Sequence, residues 1–174
     1  MFKLNTNENK QEFENILKDI LENSKVLKMK EYIQHYDTTL FDHCYNVAWI
    51  TFKMCKLFHL DYVKATRASM LHDLFLYDWR VKSKKRSKWH AFKHPYVAMK
   101  TAEKEFKLSD KEKDIILKHM WPVTIIPPKS LEGFCVTIAD KYSAIYESLI
   151  HYQKSYIFKY SYVLWAILFF KINF

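Results

Sequence analysis

Glycine is almost missing from this chain: Gly133 is the only one in 174 residues. Tight hairpins draw on glycine for turns with positive φ, so its scarcity argues for helices joined by short loops. The same shortage excludes a glycine-rich phosphate loop or a dinucleotide-binding fingerprint, because both need several glycines where backbone meets phosphate. Arginine is nearly as rare, with only Arg67, Arg80 and Arg86 among 28 basic residues. Groove readers favour the bidentate guanidinium, whereas scattered lysines mostly solubilise helix faces. The formal charge of +9 therefore does not predict specific nucleic-acid recognition. Cysteine is confined to Cys44, Cys55 and Cys135, isolated and without CxxC spacing. That pattern disfavours a disulfide framework or a zinc knuckle and fits free thiols in a reducing compartment. The first ten residues lack the apolar stretch of a signal peptide, so the expected location is cytoplasmic.

What the chain does hold is apolar material. Hydrophobic residues make up 49% and aromatics 17%, enough for one substantial core in a chain too short to argue for two. Phe13, Ile16, Leu17, Ile20 and Leu21 repeat on one helical face, and a short second helix is expected from Val26 to Gln34. Thr38 or Thr39 can cap a third helix carrying His43, Val47, Ile50, Met54, Leu57 and Phe58 on a broad face. Asp61 caps the next, which ends near His72-Asp73. Pro95 suits the first turn of another, with Val97, Ala98, Thr101 and Ala102 facing in. Ser109-Asp110-Lys111-Glu112 matches a capping box. A last pattern from Leu131 to about Leu149 places Ile138, Ala139, Tyr142 and Ile145 on the apolar side. The fold expected is all-α.

Two segments stand outside this pattern. Lys82 to Lys88 is a dense basic run in a polar loop from Tyr77 to His90; it reads as solvated, or as a site attracting a phosphorylated substrate. Tyr160 to Phe170 has Ser161 as its one clearly polar residue, yet eleven residues fall short of the ~20 that cross a bilayer as a helix. A core or partner-packing helix is the first reading of that segment, with membrane-surface or dimer contact as the alternatives.

The chemistry gathers around His72 and Asp73, side by side at the end of an apolar stretch. Burying both is expensive unless something pairs with them. His43 and His119 also fall on or beside apolar faces, and Asp140 interrupts Val136-Thr137-Ile138-Ala139. One shared cation would satisfy such a set together. Mixed imidazole and carboxylate ligands suit Fe, Mn, Co, Ni or Zn, and lower the pKa of a bound water toward neutrality. Hydrolysis of a phosphate ester is a natural use. His59 and His151 read as ordinary structural histidines.

The ordered set His43, His72-Asp73, Asp140 resembles the HD-domain superfamily of metal-dependent phosphohydrolases. The local strings agree: Asp42-His43-Cys44-Tyr45-Asn46-Val47-Ala48, Leu71-His72-Asp73 and Ile138-Ala139-Asp140-Lys141, over roughly residues 32–147. The resemblance implies an HD-type helical bundle with one divalent metal on His43, His72, Asp73 and Asp140. A subset of the family adds two histidines and a second ion. His94 and His119 occupy the corresponding stretch, with Asp73 bridging. Many members continue the doublet as His-Asp-Ile-Gly-Lys, the lysine meeting substrate phosphate; this chain reads Leu74-Phe75-Leu76 instead. Phosphate contact is then expected from Lys141, Arg80 or the basic loop. His90 can replace His94 as ligand, or touch substrate with Asp78.

The expected organisation is an N-terminal helical extension over residues 1–30, an HD-type catalytic domain over 31–150, and an apolar C-terminal helix over 151–174. The expected activity is hydrolysis of a phosphomonoester or phosphodiester on a small nucleotide-like molecule. The alternative is a non-catalytic sensor of nucleotide or metal. A homodimer is among the partners considered.

Overall fold

Periodic apolar residues set most of the element order. Phe13, Leu17 and Ile20 are fully buried on α1 (Thr6–Leu21). The computed structural model describes residues 6–81 and 90–172, with side chains over residues 7–81 and 91–156. Within them lie α2 (Ser24–Lys28), a 3₁₀ turn (Met29–Glu31), strands β1 (Ile33–His35) and β2 (Thr38–Thr39), then α3 (Leu40–Leu57) and α4 (Tyr62–Leu71). Three more helices follow: α5 (His90–Glu105), α6 (Asp110–Lys118) and α7 (Leu131–Ile172). The fold is all-α apart from the two short strands.

Helices α3 and α4 form the centre, with α7 against α3 and α6 against α4. Leu40, Cys44, Ala48 and Phe52 from α3 meet Ala68, Met70 and Leu71 from α4, and α1 closes the cluster. Arg67 ties α1 to α4: its guanidinium donates to both Asp19 carboxylate oxygens at 2.6 and 2.8 Å and to the Ile16 carbonyl at 3.0 Å. Planar fork-on-carboxylate geometry of this kind is the stronger form of ion pair. All three cysteines are free and buried. No helix among the described residues is long and apolar enough to cross a membrane.

Three expectations need correction. The second helix stops at Lys28, well before Gln34, and the chain turns extended at Tyr32. Leu40 N–H donates to the Tyr32 carbonyl at 2.8 Å, and Ile33 pairs with Thr39 and His35 with Thr38. Tyr, Ile and Thr favour extended backbone, and here that preference outweighs a short helical period. The turn is made without glycine, Tyr36 taking φ 49°. Pro95 is not in a first turn, because α5 begins five residues earlier at His90. That earlier turn carries His94, whose ring lies 5.8 Å from Phe75 and edge-on to it.

The third correction concerns α7. Ile138, Tyr142 and Ile145 are 55%, 56% and 62% exposed, and of the expected quartet only Ala139 is buried. The inward face is Val136, Ala139, Ser143 and Glu147, with Asp140 beside them. Orientation of this helix follows its acids, which pair inside, rather than its largest apolar side chains. The segment expected to be apolar at residues 160–170 continues the same helix, and its side chains lie outside the described residues, as does the basic loop 82–88.

Gly133 is required by packing. A Cβ there would stand 2.5 Å from the Cβ of Pro128, a ring atom that cannot swing away. Alanine in a helix gains about 1 kcal/mol over glycine, whereas overpacking costs about 1–3 kcal/mol. Gly133→Ala is therefore expected to lower stability by about 1 kcal/mol in thermal or urea unfolding. A rise in stability would contradict the close contact.

Candidate metal centre

Four of the six ligand candidates are delivered by the way a helix starts or stops. Thr39 caps α3, accepting from the Asp42 N–H at 3.1 Å, and His43 follows one residue later on the inward face. Asp61 caps α4, which ends at Leu71, so His72 and Asp73 stand where the chain leaves the helix. The capping box Ser109/Glu112 starts α6, and His119 is its C-terminal cap. Carbonyls near helix C-termini are free to accept outside bonds. His72 Nδ1 lies 2.6 Å from the Ser69 carbonyl and His119 Nδ1 lies 2.8 Å from that of Ile116. A carbonyl only accepts, so both Nδ1 atoms carry the proton, and both Nε2 atoms turn toward the centre. Histidine ligands are commonly oriented in this way.

All six side chains converge. His43, His72, Asp73, His94 and His119 are each at most 5% exposed. His43 Nε2 lies 3.1 Å from Asp140 Oδ1, and His72 Nε2 lies 3.6 Å from both Asp140 Oδ1 and Asp73 Oδ2. On the other side of Asp73, its Oδ1 stands 3.2 Å from His94 Nε2 and 3.6 Å from His119 Nε2. Three ligand trios result, His43/His72/Asp73, Asp73/His94/His119 and His72/His119/Asp140, each with its atoms within 4.8 Å of one another. Asp73 belongs to two of them.

The donor set fits a divalent transition ion. Four imidazoles and two carboxylates, with no thiolate, are borderline ligands of that class. His72 Nε2 and Asp73 Oδ1 are buried with no hydrogen-bond partner. His94 Nε2 and His119 Nε2 face each other at 3.0 Å. With its proton on Nδ1, His119 offers a lone pair here, which is what a cation needs.

Electrostatics describe the same centre. Burial alone would raise the Asp73 carboxyl, but the charges of His72 and His94 hold it far below the usual carboxylate range. Asp140 is likewise held low, its burial outweighed by the hydrogen bond with His43 and by the neighbouring His72 ring. Burial would lower His43, yet its bonds to Asp140 and Glu147 push it up to about 10. His119 goes the other way, lowered to about 3 by burial and by the neighbouring His72 charge. The acids demand positive charge at one point.

Three residues at the centre are not legible in the sequence. Gln34 on β1 donates through Nε2 to Asp73 Oδ2 at 2.7 Å, leaving Oδ1 toward His94 and His119. His35 sets its ring edge against His43, centroids 5.2 Å apart. Glu147, buried on α7, has both carboxylate oxygens 3.1 Å from His43 Nδ1. It stands seven residues after Asp140, two helical turns along the same face, and that spacing is the signal that could have found it. Gln34 falls in the segment the periodicity assigns to a second helix, and His35 just beyond its expected end.

The other candidates are placed as follows. Lys141 is half-buried, its amine lowered by desolvation; Nζ donates to the His119 carbonyl at 3.3 Å and lies 4.0 Å from Asp140 Oδ2. Arg80 and Asp78 bind each other at 3.0 Å on an exposed turn. The side chain of His90 lies outside the described residues. His151 stacks on Tyr36 at 4.1 Å, and His59 is an exposed positive-φ residue after α3. Trp121 packs edge-on against Phe134, centroids 5.5 Å apart, with both side chains half-buried.

The sequence model of the HD domain matches residues 40–145, which run from the first turn of α3 into α7 and include all six ligand candidates. The chain belongs to the HD-domain family. Neither a comparison with curated proteins nor one with solved structures found a match.

Metal content tests this centre. Asp73→Ala, which removes a member of two trios, is expected to strip bound divalent metal from the purified protein, read by elemental analysis. Glu147→Ala should weaken metal affinity by about 10–100-fold, because it releases the ring orientation of His43. Wild-type affinity in Glu147→Ala would show that His43 needs no such support.

Proposed function

We propose that this protein is a metal-dependent hydrolase of a phosphomonoester or phosphodiester on a small nucleotide-like molecule, acting in the cytoplasm. Family membership supports the coarse class, metal-dependent phosphohydrolases with some non-catalytic members. The observation that carries the reading is Asp73 between two histidine groups, His43/His72 and His94/His119. An acid in that position can bridge two ions, the arrangement that serves in-line displacement at phosphorus.

A divalent ion held here would supply an ionised water as nucleophile and positive charge for the phosphoryl oxygens. The chain does the rest. His72 and His119 keep their ring protons on Nδ1 against backbone carbonyls, so their orientation needs no adjustment during reaction. Gln34 fixes the carboxylate plane of Asp73 from the hairpin side. Asp140 and Lys141, whose side chains are 13% and 37% exposed, mark the side of the centre that opens to solvent. Among the described residues, Lys141 is the cation best placed to steady a phosphate entering there. Arg80, engaged with Asp78, is a weaker candidate.

One observation favours a sensor without turnover. Leu76 stands where many relatives carry the lysine that meets phosphate, and Leu74 and Phe75 before it are buried core residues. The two readings part in one assay. Incubated with a nucleotide panel and Mn, Fe, Co, Ni or Zn, the wild-type protein should release phosphate or a nucleoside phosphate, and Asp73→Ala should not. Lys141→Met should keep its metal and lose about 10-fold or more in kcat/KM, as expected for one charge-assisted phosphate contact. Tight nucleotide binding with no product from any metal form would establish the sensor.

A further inference from the structure

We propose that the outer face of α7 is the contact surface of a two-fold dimer of this chain. Ile138, Tyr142, Ile145, Leu149, Tyr152 and Tyr156 are spaced by four, three, four, three and four residues along the helix, and each is at least 55% exposed. This is the 3.5-residue repeat of a coiled-coil seam, held over nearly three heptads or about 27 Å of helix. A helix packed on its own domain follows a broader 3.6-residue stripe, and the inner face of α7 does so through Val136, Ala139, Ser143 and Glu147. Among the described residues α7 packs chiefly on α3, α4, α6 and β1, and Tyr36 of the hairpin turn touches the outer row at Tyr152, ring centroids 5.9 Å apart.

Charge placement selects a second copy over a lipid surface. Asp140, Glu147 and Lys154 share one heptad position, on the side away from the seam. The flanking positions are Ala139, Tyr146 and Gln153 on one edge and Lys141, Ser148 and Ser155 on the other. A like helix would therefore meet few opposed charges, whereas a helix lying on a membrane carries a cationic rim beside its apolar stripe. The size is also sufficient. Six half-exposed side chains of this bulk present on the order of 700 Å², close to the ~800 Å² per partner of a stable interface. Tyrosine, at three of the six positions, is enriched at such contacts because its ring packs while its hydroxyl stays wet.

Sedimentation of the full chain provides the test. The wild-type protein should sediment at twice its 21.1 kDa chain mass. Ile145→Glu with Leu149→Glu should weaken association by about 100-fold or more, leaving a monomer with unchanged helicity and metal content. Both positions are over 60% exposed, so the fold does not depend on them; Ile145→Ser with Leu149→Ser serves if the charged pair fails to fold. Tyr96→Glu, at an exposed position on α5, should leave the dimer intact. A wild-type monomer, a dimer or larger species that survives both pairs, or association seen only with phospholipid vesicles would each overturn the proposal.

Discussion

Asp73 is 2% exposed at the heart of a helical core, where an isolated carboxylate would cost several kcal/mol. Positive charge and donors from other elements must reach it. His72 comes from the end of α4, His94 from α5, His119 from the end of α6, and Gln34 from the hairpin. Asp140 and Glu147 hold His43 from α7 in the same way. Most of the described elements are thus committed to one polar point inside an apolar cluster. Balancing buried charge, as much as hiding oil, decides how these helices sit.

That constraint explains the orientation of α7. By apolarity alone its large residues belong inside, but a helix with acids two turns apart must turn them toward the imidazoles. Ile138, Tyr142 and Ile145 are carried to the surface as a consequence. Their exposure is the reverse side of ligand delivery, and it leaves a seam that a second helix can fill. In the proposed dimer, one element would serve both the centre and the contact between copies.

Helix starts were legible in the residues because caps are local: Thr39, Asp61 and Ser109 act within three residues of themselves. The ligand candidates were legible because polar groups interrupt apolar faces, and their order matches a known family. Gln34 was not, since its role depends on a hairpin whose turn uses Tyr36 in place of glycine and on a partner, Asp73, 39 residues away. Glu147 escaped because an acid on a helix is ordinary until its neighbour across the core is known. The start of α5 was misplaced because proline is only a weak marker of a first turn when a ligand such as His94 needs the helix to begin earlier.

Family membership and the donor set agree on a metal-dependent centre. Anomalous diffraction from crystals grown with a transition metal tests the central claim most directly. The account predicts peaks beside Asp73, bounded by the Nε2 atoms of His72 and His119. Metal found only at surface histidines, with water or protons joining the buried groups, would contradict it.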